Sequence, residues 1–301
     1  MVQQLDEKSK RLLTKASERI SMLYVEKAKI EQSEYGVQIR QGNKVSEIPI
    51  TTISCLILGP GTTVTHRAVA NIAKAGCSIC WMGMEQAVFY AYGEPATNKS
   101  KNILKQMHYH ESKVLHIEVI HKMYNWRYPN EKIKSASLEE LKGFEGKKMK
   151  ECYAKYAEQY QYDWKGRISS ISFEKSDLAN QYITALNSVL YAITQAIIQI
   201  MGYSPSIGFI HTGHIASFTF DISDLFKEEI TIPLAFKLSS ELGYFDRHKM
   251  ITEYRNLITE KKVISRMVNY LENLFDDNVT TIEAELNLWD SIKWANISDE
   301  L

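Results

Sequence analysis

The alternation of apolar and polar residues changes along the chain from a strand pattern to a helix pattern. Before Pro95, runs such as YGVQIRQ, VSEIPI and ISCLILG alternate between the turn sequences QSEYG and QGNK, which predicts a meander of strands. A helix interrupts them, because threonines after Gly59 and Gly61 offer an N-cap near Thr65 and a helical pattern runs to Gly76. CSICWMG and VFYAYG then predict two more strands.

Helical spacing dominates the rest of the chain. ILKQMHYHESKVLHIEVIHKMYNW predicts one long helix, and a capping box of Ser137 and Glu140 begins the next. Ser176 or Asp177 caps the longest pattern, LANQYITALNSVLYAITQAIIQIMG. Three more helices are predicted by ITIPLAFKL, MITEYRNLITEKKVISRMVNYLENLF and IEAELNLWDSI.

Together the two patterns predict an α+β fold. A β-rich N-terminal domain over residues 1–98, opening with a short helix over residues 3–17, precedes a larger all-α domain over residues 99–301. The 36 basic and 36 acidic residues balance, which argues against a uniformly basic nucleic-acid coat but allows a basic stripe beside an acidic site. The chain shows no apolar signal segment, no run of about 18 apolar residues and only four scattered cysteines. We therefore expect a cytoplasmic protein without a membrane span.

Residues 203–227, YSPSIGFIHTGHIASFTFDISDLFK, concentrate candidate metal ligands. A turn signal at residues 212–214 separates two short apolar runs, which predicts a hairpin leading into a helix. His211 lies in the hairpin, and Asp221 and Asp224 are three residues apart, so they share a face of the helix. Taken singly, His211 is more simply a hydrogen-bonded strand residue and Asp221 a helix N-cap.

A further ligand is predicted on the helix that begins at Ser137. Glu145 lies between Gly143 and Gly146 in mid-helix, where each glycine costs about 1 kcal/mol relative to alanine. We interpret the glycines as room for a bulky partner such as a DNA phosphate, which the lysines that follow would attract; a solvated Glu/Lys face is the alternative. Three carboxylates and one imidazole favour Mg²⁺ or Mn²⁺ over Zn²⁺, and such an ion suits phosphoryl transfer.

Three weaker signals have ordinary structural explanations. The turn at Gly59 and Gly61 lacks the third glycine of a dinucleotide site and the Gly-Lys of a P-loop, so it is more simply a tight turn than a phosphate cradle. Cys77 and Cys80 lie in an apolar strand, which favours core packing over zinc or redox chemistry. Four histidines do not keep one face of their predicted helix and are expected at the surface. They are His108, His110, His116 and His121.

Several sequence blocks occur in a recognisable order and extend to about Phe236. They are LGPGTTVTHRAV, LKGFEG, DLANQYITALNSVLYAI, GYSPSIGFIHTG and FDISDLFK followed by PLAF. Together they resemble the CRISPR-associated adaptation endonuclease/integrase family (the Cas one family), and its subtype I-E branch in particular. The resemblance implies an N-terminal β-domain that dimerises and an all-helical catalytic domain. It also implies that Glu145, His211 and Asp224 bind Mg²⁺ or Mn²⁺, with Asp221 as a fourth catalytic residue.

The resemblance implies an activity on DNA in antiviral defence. Family members insert prespacer DNA into the CRISPR array, each prespacer 3′-hydroxyl attacking a phosphodiester at a leader–repeat or repeat–spacer junction. Cleavage of branched DNA is the reverse or hydrolytic version of that transesterification. The implied partners are double-stranded and branched DNA, a second copy of the chain in a homodimer, and a small ferredoxin-like companion subunit that bridges two dimers into a heterohexamer.

The resemblance also implies a set of DNA contacts. They are Tyr24, Lys27, Arg67, Lys148, Arg167, Tyr191 and Arg247. Lys27 occupies the position of a fork-splaying tyrosine, so Tyr24 is the hypothetical substitute. Val88 and Ser169 replace an expected arginine and tyrosine, so we expect recognition of the prespacer-adjacent motif to differ. Two alternatives remain: a catalytically inactive DNA-binding scaffold of the same fold, and a nucleotide-binding enzyme that uses residues 59–65.

Overall fold

Strands fill the first part of the chain. The computed structural model describes residues 23–34, 36–53, 55–82, 89–93, 100–131, 137–168 and 172–275. In the first four of these ranges the strands are β1 (Leu23–Val25), β2 (Lys29–Ser33), β3 (Gly36–Gln41), β4 (Lys44–Ile48), β5 (Cys55–Leu58), β6 (Thr63–Val64), β7 (Ser78–Met82) and β8 (Phe89–Gly93). A 3-10 turn (Ile50–Thr52) and helix α1 (His66–Lys74) lie between strands.

Helices fill the second part of the chain. They are α2 (Lys101–Glu111), α3 (Lys113–Arg127), α4 (Leu138–Gln159), α5 (Leu178–Ile200), α6 (Ser217–Phe226), α7 (Ile232–Leu242), α8 (Arg247–Glu260) and α9 (Val263–Leu274). A 3-10 turn (Phe173–Lys175) precedes α5, and a π-helical turn (Lys227–Thr231) joins α6 to α7. The strand-rich region followed by a helical one confirms the predicted α+β fold class.

Some predictions fall outside the described residues. These are the helix over residues 3–17, the pattern IEAELNLWDSI, the boundary between residues 98 and 99, and the positions of Val88 and Ser169. The division into two domains therefore stays a prediction. In the part of the chain that the structure describes, no helix is both long enough and apolar enough to cross a membrane.

The strands form two four-stranded sheets. One has the order β1-β5-β7-β8 and the other β4-β3-β2-β6. In the first sheet β5 runs parallel to both of its neighbours, with Leu23 of β1 opposite Leu56 and Ser78 of β7 opposite Cys55. All four residues of β5, CLIL, are buried. A continuous apolar run is what a central strand covered on both faces requires.

Alternate residues of β5 belong to two different cores. Leu56 and Leu58 pack in a smaller core with residues of α1. Cys55 and Ile57 lie in the main core, which is built around α5. The first sheet therefore packs directly onto the helices, and its inner face forms part of their core.

The two cysteines of the Cys-x-x-Cys pattern are separated by this sheet. Cys77 lies in the smaller core, whereas Cys80 lies in the main one. Cys80 contacts Cys55, with 3.6 Å between the sulfur atoms, and all four cysteines are free thiols. The predicted packing role is confirmed.

Local capping signals were predicted well. Thr65 accepts a hydrogen bond from the Ala68 backbone N–H at the start of α1. Ser137 and Glu140 form the complete capping box of α4, and Asp177 caps α5. In each case the cap and its partner are neighbours in sequence, so the interaction does not depend on the rest of the fold.

Two long helical patterns are each divided in the structure. Ser112 ends α2 and caps α3 through the Leu115 backbone N–H. Lys262, with φ of 50°, separates α8 from α9. In both patterns apolar residues continue at helical spacing, so periodicity alone could not reveal the break.

The hairpin predicted within residues 203–227 is wrong. Residues 203–216 form turns and bends without strand pairing, and α6 begins at Ser217. The second apolar run, ASFTF, therefore lies mostly in a helix. Asp221 lies inside that helix and is not its N-cap, which is Ala216.

We predict that Ile57→Ala lowers the free energy of unfolding by about 2–5 kcal/mol. The side chain is fully buried between β5 and α5, so truncation leaves a cavity as well as losing apolar burial. Guanidinium unfolding should be compared with Val45→Ala, whose side chain is 47% exposed and whose expected cost is below about 0.5 kcal/mol. Similar costs for both variants would contradict the central position of β5.

Candidate active site

His211 is held by the carboxylate of Asp221. Its Nδ1 lies 2.8 Å from Asp221 Oδ1, and its backbone N–H donates to the same oxygen at 2.9 Å. The backbone N–H groups of Phe209 and Ile210 donate to Oδ2 at 2.6 and 3.2 Å. Asp221 is only 1% exposed, and these bonds satisfy a charge that could not otherwise be buried. In the neutral ring the proton lies on Nδ1, which leaves Nε2 free as a ligand or base.

A glycine and a histidine fix the segment before His211. A Cβ on Gly208 would lie 2.3 Å from the His211 carbonyl oxygen and 2.6 Å from Ser217 Cβ, so only glycine fits here. His116 on α3 supports the same segment, because its Nε2 lies 2.9 Å from the Phe209 carbonyl oxygen. The prediction that His116 lies free at the surface is wrong, since its half-buried ring bridges two backbone carbonyls.

Glu145 on α4 is enclosed by donors from α3. Its Oε1 accepts from Arg127 Nη1 at 2.5 Å, and its Oε2 accepts from the Tyr124 hydroxyl at 2.9 Å. Arg127 also donates from Nε to Glu228 Oε1 at 2.8 Å, and its side chain is 7% exposed. Burial alone would lower the pKa of Arg127, but the carboxylates of Asp224 and Glu145 raise it. The guanidinium therefore stays charged.

Asp224 on α6 is paired with Lys227. The Lys227 ammonium forms an ion pair with Asp224 Oδ1. Among the described residues, no group makes a hydrogen bond of regular geometry to that oxygen. The ammonium also donates to the Tyr191 hydroxyl at 2.7 Å. Burial alone would raise the pKa of Asp224, but the charges of Lys227, Arg127 and His211 lower it. The carboxylate is therefore ionised at neutral pH.

The π-helical turn between α6 and α7 carries two charged residues of the site, Lys227 and Glu228. The Ile232 backbone N–H donates to the Lys227 carbonyl oxygen, five residues back. Pro233 follows at the start of α7, and proline has no N–H to continue a regular helical ladder. A π turn inside a helix is often found at a functional site.

The three predicted ligands share one electrostatic neighbourhood but do not converge on a point. The hydrogen bond to Asp221, followed by the charge of Asp224, raises the pKa of His211, and Arg127 links Glu145 to the same group of charges. Among the described residues, no three side chains of the metal-binding types lie close enough to hold an ion as placed. The donor chemistry fits a divalent cation, with two carboxylates and a histidine whose Nε2 is free. The carboxylates of Glu145 and Asp224 are already paired with Arg127 and Lys227.

The sequence did not lead us to predict the cations Arg127 and Lys227, or Glu228, the second carboxylate partner of Arg127. Lys227 could have been found, because it lies three residues after Asp224 in a helical pattern. Arg127 and Glu228 could not, since Arg127 is 18 residues from Glu145 and 101 residues from Glu228. No local motif marks either residue.

Two residues predicted to contact DNA, Tyr24 and Arg247, contact each other. Arg247 Nη1 donates to the Tyr24 hydroxyl at 3.2 Å, and that hydroxyl donates to Glu26 Oε2 at 2.6 Å. Burial, followed by the Glu26 hydrogen bond, raises the pKa of Tyr24 to about 12. Tyr24 also fills the space beside Gly59, where a Cβ would lie 2.3 Å from its hydroxyl oxygen. The glycine thus accommodates a side chain, which supports the tight-turn interpretation over a phosphate cradle.

The other predicted DNA contacts differ in how the protein holds them. Arg167 donates to Asn180 Oδ1 at 2.7 Å and to Thr184 Oγ1 at 3.0 Å, tying the preceding loop to α5. Lys148 pairs with Glu131 at 2.6 Å. The remaining three are half-buried or exposed: Tyr191, Lys27 and Arg67. Contact with DNA stays a prediction for all seven, including Tyr24 and Arg247.

Comparison with known proteins gives consistent matches over most of the chain. The family model described as CRISPR associated protein Cas1 matches residues 122–248. The chain is 36% identical over 265 residues to CRISPR-associated endonuclease Cas1 2 of Chlorobaculum tepidum, covering 87% of this chain and 90% of that protein. It is 32% identical over 260 residues to CRISPR-associated endonuclease Cas1 of Escherichia coli, covering 85% of each.

A solved structure shares the fold. The crystal structure of the TtCas1–DNA complex matches with a TM-score of 0.79 and 31% identity, covering 89% of this chain and 96% of that one. By class, then, this is a CRISPR-associated protein. More specifically, the chain belongs to the Cas1 family, which confirms the family resemblance of its sequence blocks.

We predict that Asp221→Asn lowers the pKa of His211 and destabilises the fold by about 1–3 kcal/mol. The hydrogen bond from His211 to Asp221 is the largest cause that raises the histidine pKa, and an amide oxygen cannot replace a carboxylate that accepts four bonds. A raised folded-state pKa adds stability at low pH that is lost as pH rises through it. The cost should therefore be larger near pH 6 than near pH 9.

Histidine titration by NMR and urea unfolding at the two pH values would check this prediction. Asp163→Asn is the matched control, because Asp163 is exposed and pairs only with the neighbouring Lys165 in the described structure. An unchanged titration of His211 in Asp221→Asn would show that the carboxylate does not set its protonation.

Proposed function

We propose that this protein is a metal-dependent DNA endonuclease and integrase of CRISPR adaptation. The observation that carries the proposal is the Asp221–His211 pair, which leaves Nε2 free on a ring that also interacts electrostatically with the ionised carboxylate of Asp224. Membership of the Cas1 family supports it, because the Chlorobaculum and Escherichia relatives are named as endonucleases. The solved TtCas1–DNA complex supports DNA as the substrate class.

In the proposed reaction a 3′-hydroxyl of prespacer DNA loses its proton, and its oxygen forms a bond to phosphorus in the CRISPR array. The bridging P–O bond breaks, and the leaving oxygen takes up a proton, so no proton is gained or lost overall. With water as the nucleophile, the same exchange cleaves the DNA.

The residues proposed to hold Mg²⁺ or Mn²⁺ are Glu145, His211 and Asp224. The bound ion would supply Lewis-acid stabilisation of charge on the phosphate oxygens. Asp221 is a positioning residue, because its oxygens hold His211 and the segment before it and none is free for an ion. Arg127 donates to both Glu145 and Glu228, so it holds Glu145 of α4 against α3 and the π turn.

The partner proposals follow from family membership. We propose a homodimer formed through the strand-rich region, bridged to a second dimer by a small ferredoxin-like subunit. Double-stranded and branched DNA would lie across the helical face that carries Glu145.

The proposed activity is tested by Mn²⁺-dependent joining of a 3′-hydroxyl prespacer to a supercoiled array plasmid, with the companion subunit present. We expect His211→Ala and Asp224→Ala each to reduce joining at least about a hundredfold, because several kcal/mol of transition-state stabilisation would be lost. His108→Ala and Asp163→Ala are matched controls at exposed positions and should join like the wild type.

Two outcomes would count against the proposal. Joining that persists in both site variants would remove the metal-dependent integrase. Absence of joining by the wild type, together with DNA binding, would favour the inactive scaffold of the same fold.

We predict that Gly143→Ala and Gly146→Ala each stabilise the protein but weaken DNA binding. A Cβ at either glycine would meet nothing within 4 Å, so alanine should add about 1 kcal/mol of helix stability. Both positions are exposed on α4, and a methyl group there would obstruct a closely approaching DNA backbone. Thermal unfolding and fluorescence anisotropy with branched DNA measure the two effects. Asn256→Ala on α8 is the control, and undiminished DNA affinity in both glycine variants would refute the close approach.

A further inference from the structure

Positively charged side chains of the protein neutralise the carboxylates of the candidate active site. Arg127 pairs with Glu145 and Glu228, and Lys227 pairs with Asp224. The Arg127 and Lys227 side chains are only 7% and 17% exposed. Removing one partner of a buried ion pair leaves an uncompensated charge and is strongly destabilising, so these contacts help to hold the site together.

A divalent cation bound at Asp224 Oδ1 would compete with the Lys227 ammonium for that oxygen. Lys227 contacts Asp224 Oδ1 directly, and an ion bound to that carboxylate would face a positive charge at close range. Repulsion between like charges in a poorly solvated site is much stronger than in water. An ion can therefore bind at Asp224 only when the ammonium moves away.

Lys227 is better able to move than Arg127. Arg127 is held by two carboxylates and also lies 3.1 Å from the Met149 sulfur through Nη2. Lys227 has one carboxylate partner and the Tyr191 hydroxyl, on a flexible four-carbon stem. The ammonium can leave Asp224 while it keeps its contact with the face of the Tyr191 ring, whose centroid is 4.8 Å away.

We propose that Lys227 is an internal counter-ion that occupies Asp224 in the metal-free protein and is displaced by the divalent cation. This inference rests on the proposed function, since it takes Asp224 as a metal ligand. It accounts for the absence of a ready three-ligand cluster among the described residues, because the ligands are arranged around the protein's own cations. Lys227 then sets the metal affinity, and ion binding frees a positive charge beside the site.

The test measures Mn²⁺ binding to the full chain without DNA, by electron paramagnetic resonance of free Mn²⁺. Both variants remove the positive charge of residue 227. Lys227→Gln retains a hydrogen-bond donor for Tyr191, whereas Lys227→Met retains the length of the lysine side chain, so an effect common to both comes from the charge. Each should bind Mn²⁺ at least about tenfold more tightly than the wild type. Thermal unfolding should show a lower Tm without metal and a larger rise on adding Mn²⁺.

Two charge controls accompany these variants. Lys227→Arg keeps the positive charge and should bind Mn²⁺ like the wild type. Lys237→Met removes a lysine that pairs with Glu253 at 2.8 Å on the α7–α8 face, so it changes the net charge equally without touching Asp224. If Lys237→Met also binds Mn²⁺ more tightly than the wild type, the effect comes from net charge and not from the position of Lys227. That result would overturn the inference.

The remaining outcomes separate this inference from the proposed function. Wild-type binding that Glu145→Gln abolishes but the Lys227 variants leave unchanged or weaken would overturn the counter-ion role alone. Absence of Mn²⁺ binding in the wild type and in both charge-removing variants would overturn the metal site together with the counter-ion. Weak or absent binding in the wild type that becomes tight in both variants supports displacement.

Discussion

The four hydrogen bonds to the Asp221 carboxylate are the interaction on which the candidate active site depends. Three come from consecutive backbone N–H groups and one from the His211 ring. An irregular segment normally lies at the surface because its backbone groups need partners. Here a buried carboxylate supplies them, so the segment can approach α6 and still carry a histidine in one orientation.

Asp221 and Arg127 perform related structural tasks with opposite charges. Asp221 on α6 accepts hydrogen bonds from one loop. Arg127 at the end of α3 donates hydrogen bonds to carboxylates on α4 and on the π turn. Each is a buried charge whose partners lie on different elements. Glu145 and His211 are therefore each held by a side-chain network in addition to helix packing.

How far the sequence predicted the structure depended on the range of each interaction. Helix caps at Thr65, Ser137 and Asp177 were predicted, since cap and partner lie within three residues. Motif order identified Glu145, His211 and Asp224 as candidates. The hairpin prediction failed because the backbone N–H groups at Phe209 and His211 donate to the Asp221 carboxylate rather than to another strand.

Arg127 was missed because its partners, 18 and 101 residues away, are set by tertiary structure, and arginine at a helix end has many ordinary explanations. Lys227 lies within one helical turn of Asp224 and could have been predicted. Ligand motifs contain acids and histidines but not the groups that neutralise them. In the folded structure every predicted carboxylate of the site has a cationic or hydrogen-bonding partner.

Internal charge compensation has a consequence for folding. In structural metal sites the unpaired ligands repel one another without the ion, so metal binding and folding are coupled. Here Arg127 and Lys227 neutralise the acids, so the helical core can form around them with charges that the chain itself supplies. In the proposed metal site, folding and ion binding would thereby be separated, and the metal affinity would be the difference between two charge-compensated states. Lys227 would then tune that affinity without being a ligand, and the site would be weaker than one made of unpaired carboxylates.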